Sequence, residues 1–204
     1  MKKVEETKTK VLIATPTMDG KLEAYYVDSL LNTLVLGAAK GYDIKHLFVG
    51  YDSLLPRARN DLVKAAVDSD MDELLFIDAD MVAMKITPDP LDQRFLEDQK
   101  DILEVQVVGT GFLKLSKNVL KKIGEISKDY TNGPDKERAN KMYFETSINS
   151  KGELIGEDAT LCDKWREVGG TCYLHTKMTC GHIGPKVFFG DFKSFHKEFM
   201  DQYK

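Results

Sequence analysis

No stretch of this 204-residue chain stays apolar over the ~20 residues that a membrane-spanning helix needs. Cysteine is scarce. Cys162, Cys172 and Cys180 are scattered, odd in number and without C-x-x-C spacing, which argues against a disulfide framework and fits a reducing compartment. A large excess of charge of either sign is also missing. A net charge of −4 gives no global attraction for phosphate backbones or anionic membranes, although a local basic groove stays open. The first ten residues, Met1 to Lys10, are a polar run of Lys, Glu and Thr without the apolar centre of a signal peptide, so the cytoplasm is the expected location. What is present is ordinary for a globular domain: 42% hydrophobic and 30% charged residues. The length suits one domain with a sizeable core.

Short apolar runs alternate with helical patterns. Val11 to Ala14 predicts a buried strand closed by Thr15-Pro16-Thr17. Asp19 is the expected cap of a helix carrying Leu22, Tyr25, Tyr26, Leu30, Leu34 and Gly37, stopped by Gly41. Strand Ile44 to Val49, helix Pro56 to Val67 and strand Leu74 to Ile77 follow, with Pro56 suited to a first helical turn. Strand, helix, strand, helix, strand predicts a parallel sheet, whose ligands bind beyond the carboxyl ends of the strands. Thr15-Pro16-Thr17, Gly50-Tyr51-Asp52 and Asp78-Ala79-Asp80 would then share one rim. Further on, a strand is expected at Glu104 to Val108 and a helix from a Ser116 cap to Ile123, ended by Gly124. Lys128 to Arg138 reads as a mobile loop, and Tyr143 to Ile155 as an extended pair turning at Asn149 to Gly152. Glu157 to Val168 reads as a helix, with a strand near Cys172 to Leu174 and a turn at Gly181 to Gly184. An amphipathic C-terminal helix is expected over 188–204.

Four places carry chemistry. Alternation along an extended chain puts Asp78 and Asp80 on one face, where two carboxylates repel unless a cation lies between them. They are either a polar strand end or ligands of Mg²⁺ or Mn²⁺, hard cations that prefer oxygen. Glu157 and Asp158, opening a helix, are favoured there by the dipole alone or supply a general base. His182, between Gly181 and Gly184, is either structural or a metal ligand, and His46, His175 and His196 read as structural. Leu55 to Asn60 offers a helix N-terminus with Arg57 and Arg59, suited to phosphate or a base edge; the two arginines cannot point the same way, so one is a bystander.

The order Thr15-Pro16-Thr17, Pro56-Arg57-Ala58-Arg59-Asn60, Asp78-Ala79-Asp80, Gly109-Thr110-Gly111-Phe112, Gly156-Glu157-Asp158 with Trp165, and Gly181-His182-Ile183-Gly184 resembles family 2 glycosyltransferases of GT-A fold, in the short form found in phages and bacteria. The resemblance spans about residues 10–190. It implies an α/β fold with a mostly parallel, Rossmann-like central sheet flanked by helices: a nucleotide-sugar half over about 10–103 and an acceptor half over about 104–190, within one domain. It implies that Thr15, Pro16, Thr17, and Arg57 or Asn60 lie beside the base and ribose, and that Asp78 meets the nucleotide. Asp80, with His182 and Asp78, would hold Mn²⁺ or Mg²⁺, Gly109, Thr110 and Gly111 would floor the sugar site, and Asp158 beside Glu157 would be the base of an inverting transfer. The implied donor is a uridine diphosphate sugar. The acceptor, whether saccharide, lipid carrier, protein or modified nucleobase, is left open, as is oligomeric state. Family members place a helix and a further strand between the paired acids and the Gly-Thr-Gly-Phe segment, where this chain has only Met81 to Leu103. A nucleotidyltransferase of related topology and a non-catalytic nucleotide-sugar-binding module are the alternatives; the first would prefer a Gly-rich, Lys-bearing loop where Ala14 to Met18 stands.

Overall fold

In the computed structural model, which describes residues 8–83, 101–132, 138–184 and 187–190, the first apolar run forms β1 (Lys10–Pro16), buried along nearly its whole length. Its alternate side chains enter two cores, as a central strand covered on both faces requires. Val11 and Ile13 meet Tyr26 and Leu30 of α1 (Ala24–Ala39), while Leu12 and Ala14 meet Leu62 and Val63 of α2 (Leu55–Asp68). Between those helices lies β2 (Asp43–Val49), and β3 (Glu73–Ile77) follows α2. Both pair with β1 in parallel.

The remaining elements are shorter: β4 (Met81–Ala83), β5 (Ile102–Val105), β6 (Phe112–Ser116), α3 (Lys117–Ile126), β7 (Asp129–Asn132), β8 (Arg138–Lys141), β9 (Ser147–Ile148), β10 (Leu154–Ile155), α4 (Glu157–Glu167), β11 (Cys172–His175), β12 (Cys180–Ile183) and β13 (Val187–Gly190). β6 runs antiparallel to β3, so the central sheet, ordered β2-β1-β3-β6, is mixed: three parallel strands and one reversed. The described residues add four smaller antiparallel sheets: β5 with β11, β7 with β8, β9 with β10, and β12 between β4 and β13. None of the helices described is long and apolar enough to cross a membrane.

Local chemistry explains where the elements start and stop. Ser116 caps α3, its hydroxyl accepting from Val119 N–H. Asp19 does not cap α1: its carboxylate accepts from Lys21 N–H in a tight local turn, and α1 begins later, at Ala24. Gly124 does not end α3 either. It lies inside that helix against the Tyr143 ring, where an added Cβ would fall 2.7 Å from the phenol oxygen. The stop beyond α1 is a genuine backbone need, since Gly41 has a φ of 87°. Residues 128–138, expected as a loop, instead contribute β7 and the start of β8, with 133–137 outside the described residues. Val187–Gly190 is a strand, so no helix begins at Phe188, and the rest of that expected helix lies outside the described residues. The same holds for 84–100, most of the stretch between the paired acids and the Gly109 to Phe112 segment.

Candidate functional site

The carboxyl ends of β1, β2 and β3 lie together, and β6, being reversed, enters at the same rim. Phe112 pairs with Ile77, which places Gly109, Thr110 and Gly111 beside the end of β3. Asp78 N–H donates to Gly111 O at 2.9 Å and fixes that neighbourhood. An added Cβ on Gly111 would fall 3.4 Å from Asp78 Oδ2, so the glycine permits a close approach; Gly109 faces open space.

Asp78 and Asp80 do not continue the extended alternation. The chain turns at once, with Met81 N–H donating to Asp78 O at 2.9 Å, and the two acids enter different surroundings. Asp78 faces α2. Its Oδ2 accepts from Arg59 Nη2 at 2.9 Å, and Arg59 Nη1 donates to Thr110 O at 3.2 Å. Arg59 is only 2% exposed and its guanidinium lies 5.4 Å from the Phe76 ring centre and 5.8 Å from that of Phe144, a position suited to cation–π attraction. Burial pushes the Asp78 carboxyl above its ordinary range. Arg59 opposes that shift, and the negative charges of Asp80 and Asp158 add to it. Asp78 Oδ1 is buried and has no hydrogen-bond partner, so it is an acceptor awaiting a donor or a cation.

Asp80 has a different partner. Antiparallel pairing of β12 with β4 sets His182 opposite Met81, one residue beyond Asp80, and Ile183 N–H donates to Asp80 O at 2.8 Å. His182 Nε2 then lies 3.0 Å from Asp80 Oδ2, with the side chains 57% and 46% exposed. The expected turn at Gly181 to Gly184 is thus a strand through Ile183, and strand pairing, not glycine flexibility, aims the histidine.

Asp158 comes from α4. It lies in the first turn of α4, next to Glu157, and its Oδ1 accepts from the Thr110 hydroxyl, which is almost wholly buried. Arg59, Thr110, Asp78 and Asp158 therefore form one connected group, with Asp80 and His182 beside it.

Other expected contacts find different partners. Thr15 is fully buried, and its hydroxyl shares hydrogen bonds with Tyr26 and with His46 Nε2. Pro16 ends β1 within the sheet, and Thr17 donates to Lys21 O. Asn60 is consumed by the Phe144 backbone: Nδ2 donates to Phe144 O at 3.0 Å and Oδ1 accepts from Phe144 N–H at 2.8 Å. Arg57 clasps Asp52 through two hydrogen bonds of 2.8 and 2.7 Å, which holds that carboxyl below its ordinary range. Arg59, not Arg57, reaches the paired acids. The sequence carried a signal for it: Arg59 shares the buried face of α2 with Leu62, Val63 and Ala66, where an arginine needs a partner.

No three of the His, Cys, Asp and Glu residues described gather into a ready-made metal cluster. A carboxylate with an imidazole beside it, near an unpartnered carboxylate oxygen, still matches the donors that Mn²⁺ or Mg²⁺ accept when a diphosphate supplies the other oxygens.

No protein-family model and no curated protein matches the chain. Among solved structures, the crystal structure of A197 from STIV matches with a TM-score of 0.54, covering 90% of this chain and 95% of that one at 16% identity, a likeness of fold.

Proposed function

We propose that the protein is a glycosyltransferase that takes a sugar from a nucleotide-sugar, with a uridine diphosphate sugar as the expected donor, and passes it with inversion to an acceptor hydroxyl or amine. The observation that carries this reading is the 3.0 Å approach of His182 to Asp80, next to a partly buried Asp78 whose Oδ1 is buried and unpartnered, on the ligand rim of the sheet. Asp80 and His182 would hold a Mn²⁺ or Mg²⁺ ion, with the diphosphate supplying further oxygens. Such an ion supplies positive charge for the diphosphate as it departs.

The chain's own groups do the rest. Arg59 keeps Asp78 in place against the rim. Asp158 accepts the acceptor's proton while the acceptor atom bonds to the anomeric carbon and the bond to the diphosphate breaks, its electron pair leaving with the diphosphate. Glu157 adds negative charge at the same helix end.

Thermal unfolding with a panel of nucleotide-sugars, with and without Mn²⁺, tests the donor site, because a ligand that binds only the folded state raises the melting temperature. A rise confined to one donor class and larger with Mn²⁺ supports the reading, and no rise with any donor overturns it. A rise without release of nucleoside diphosphate would indicate a binding module instead.

A further inference from the structure

We propose that Thr110 is the positioning residue of the acceptor side, holding the Asp158 carboxylate over the site from a seat that Arg59 fixes; the proposal rests on the transferase reading above. A carboxylate in the first turn of a helix has a competing attraction, the exposed N–H groups of its own helix end. Asp158 is in that position, and the α4 N-cap, Gly156, has no side chain to occupy those groups. The Thr110 hydroxyl takes Oδ1 instead. One oxygen is thereby set by the protein, and the other is left to take the incoming proton.

Thr110 can do this because it is itself held. It is 1% exposed, its carbonyl oxygen accepts from Arg59, and the next residue, Gly111, accepts from Asp78 N–H. Arg59 is packed against Phe76 and Phe144, and Phe144 is bonded through both backbone groups to Asn60, the residue after Arg59. The donor-side acid and the acceptor-side acid are thus referred to one rigid support. A base that shifts by about 1 Å can lose on the order of 10²-fold in rate, so a single hydroxyl in this place matters.

Thr110→Val keeps the volume and removes the hydroxyl, whereas Thr110→Ser keeps the hydroxyl. The probe is UDP-glucose with Mn²⁺, read as UDP release with water as acceptor: water's oxygen bonds to the anomeric carbon, its proton passes to Asp158, and UDP leaves with the electron pair. The valine variant should lower kcat about 10- to 100-fold with KM for UDP-glucose unchanged, and serine should restore most of the rate. Equal kcat in the valine variant and the parent overturns the proposal, as does a serine variant as slow as valine. Release of no UDP by the parent counts against the transferase reading instead. Crystal structures then decide the positioning: Asp158 turned away in the valine variant and held in the serine variant supports it, and an unmoved Asp158 overturns it. Should the valine variant fail to fold, Thr110→Ala is read in the same way.

Discussion

Asp78 and Asp80 both lie in the short turn between β3 and β4, yet the protein treats them in opposite ways. Asp78 is mostly buried, bonded to an almost inaccessible arginine and pushed toward its neutral form by burial. Asp80 is about half exposed and leans on an equally open histidine. The difference separates two tasks. The buried acid belongs to the fold, tying β3 to α2 and to the β6 entrance. The open pair costs little to rearrange, which suits the metal-holding role proposed for it.

The sharpest way to break this contrast is Arg59→Met. It leaves a buried carboxylate without its counter-charge, and losing one member of a buried pair costs about 3–5 kcal/mol. Urea unfolding at pH 7 should show that loss; a change under about 1 kcal/mol would mean the pair does not support the fold. Asp80→Ala should show the converse, a stability change within about 0.5 kcal/mol together with Mn²⁺-dependent UDP binding weakened by more than about 100-fold. Calorimetry with and without Mn²⁺ checks it, and undiminished binding would remove Asp80 from the ligand site. His182→Ala should weaken the same binding less, about tenfold, and leave Mn²⁺-free binding as it was.

The smallest effect belongs to His46, which sharpens the contrast by repeating it on the α1 side of the sheet. Burial lowers its pKa, so the folded protein resists protonating it. The unfolded chain takes up a proton first as pH falls below ~6.5. Stability is therefore intact above that value and is lost as pH falls through the lowered folded value. His46→Gln should flatten that part of the urea-midpoint profile between pH 7.5 and 5; an identical profile would show that burial of this ring carries no acid sensitivity.

Much of the first 80 residues was legible because each element there reports itself locally. β1, buried on both faces, shows as an unbroken apolar run, and α2 shows a helical stripe opened by Pro56. The second half was harder to read for a physical reason. β9 and β10 pair across the expected turn at Asn149 to Gly152, but β7 and β8 lie in a charged, turn-rich stretch without an apolar period, and β12 reads as a glycine turn because its partner β4 is remote in sequence. The site divides in the same way. Asp78, Asp80, Asp158 and His182 stand out as residue types in order, but the roles of Arg59 and Thr110 depend on a helix and a loop meeting 51 residues apart.

The order of apolar runs, their helical or extended period and the presence of paired acids at a strand end were set by the sequence alone, since each depends only on neighbours along the chain. Which arginine reaches the acids, which hydroxyl holds Asp158, and the placing of His182 beside Asp80 were decided by tertiary structure. Those contacts arise from the reversed β6 and from pairing across long loops, and no local preference encodes them.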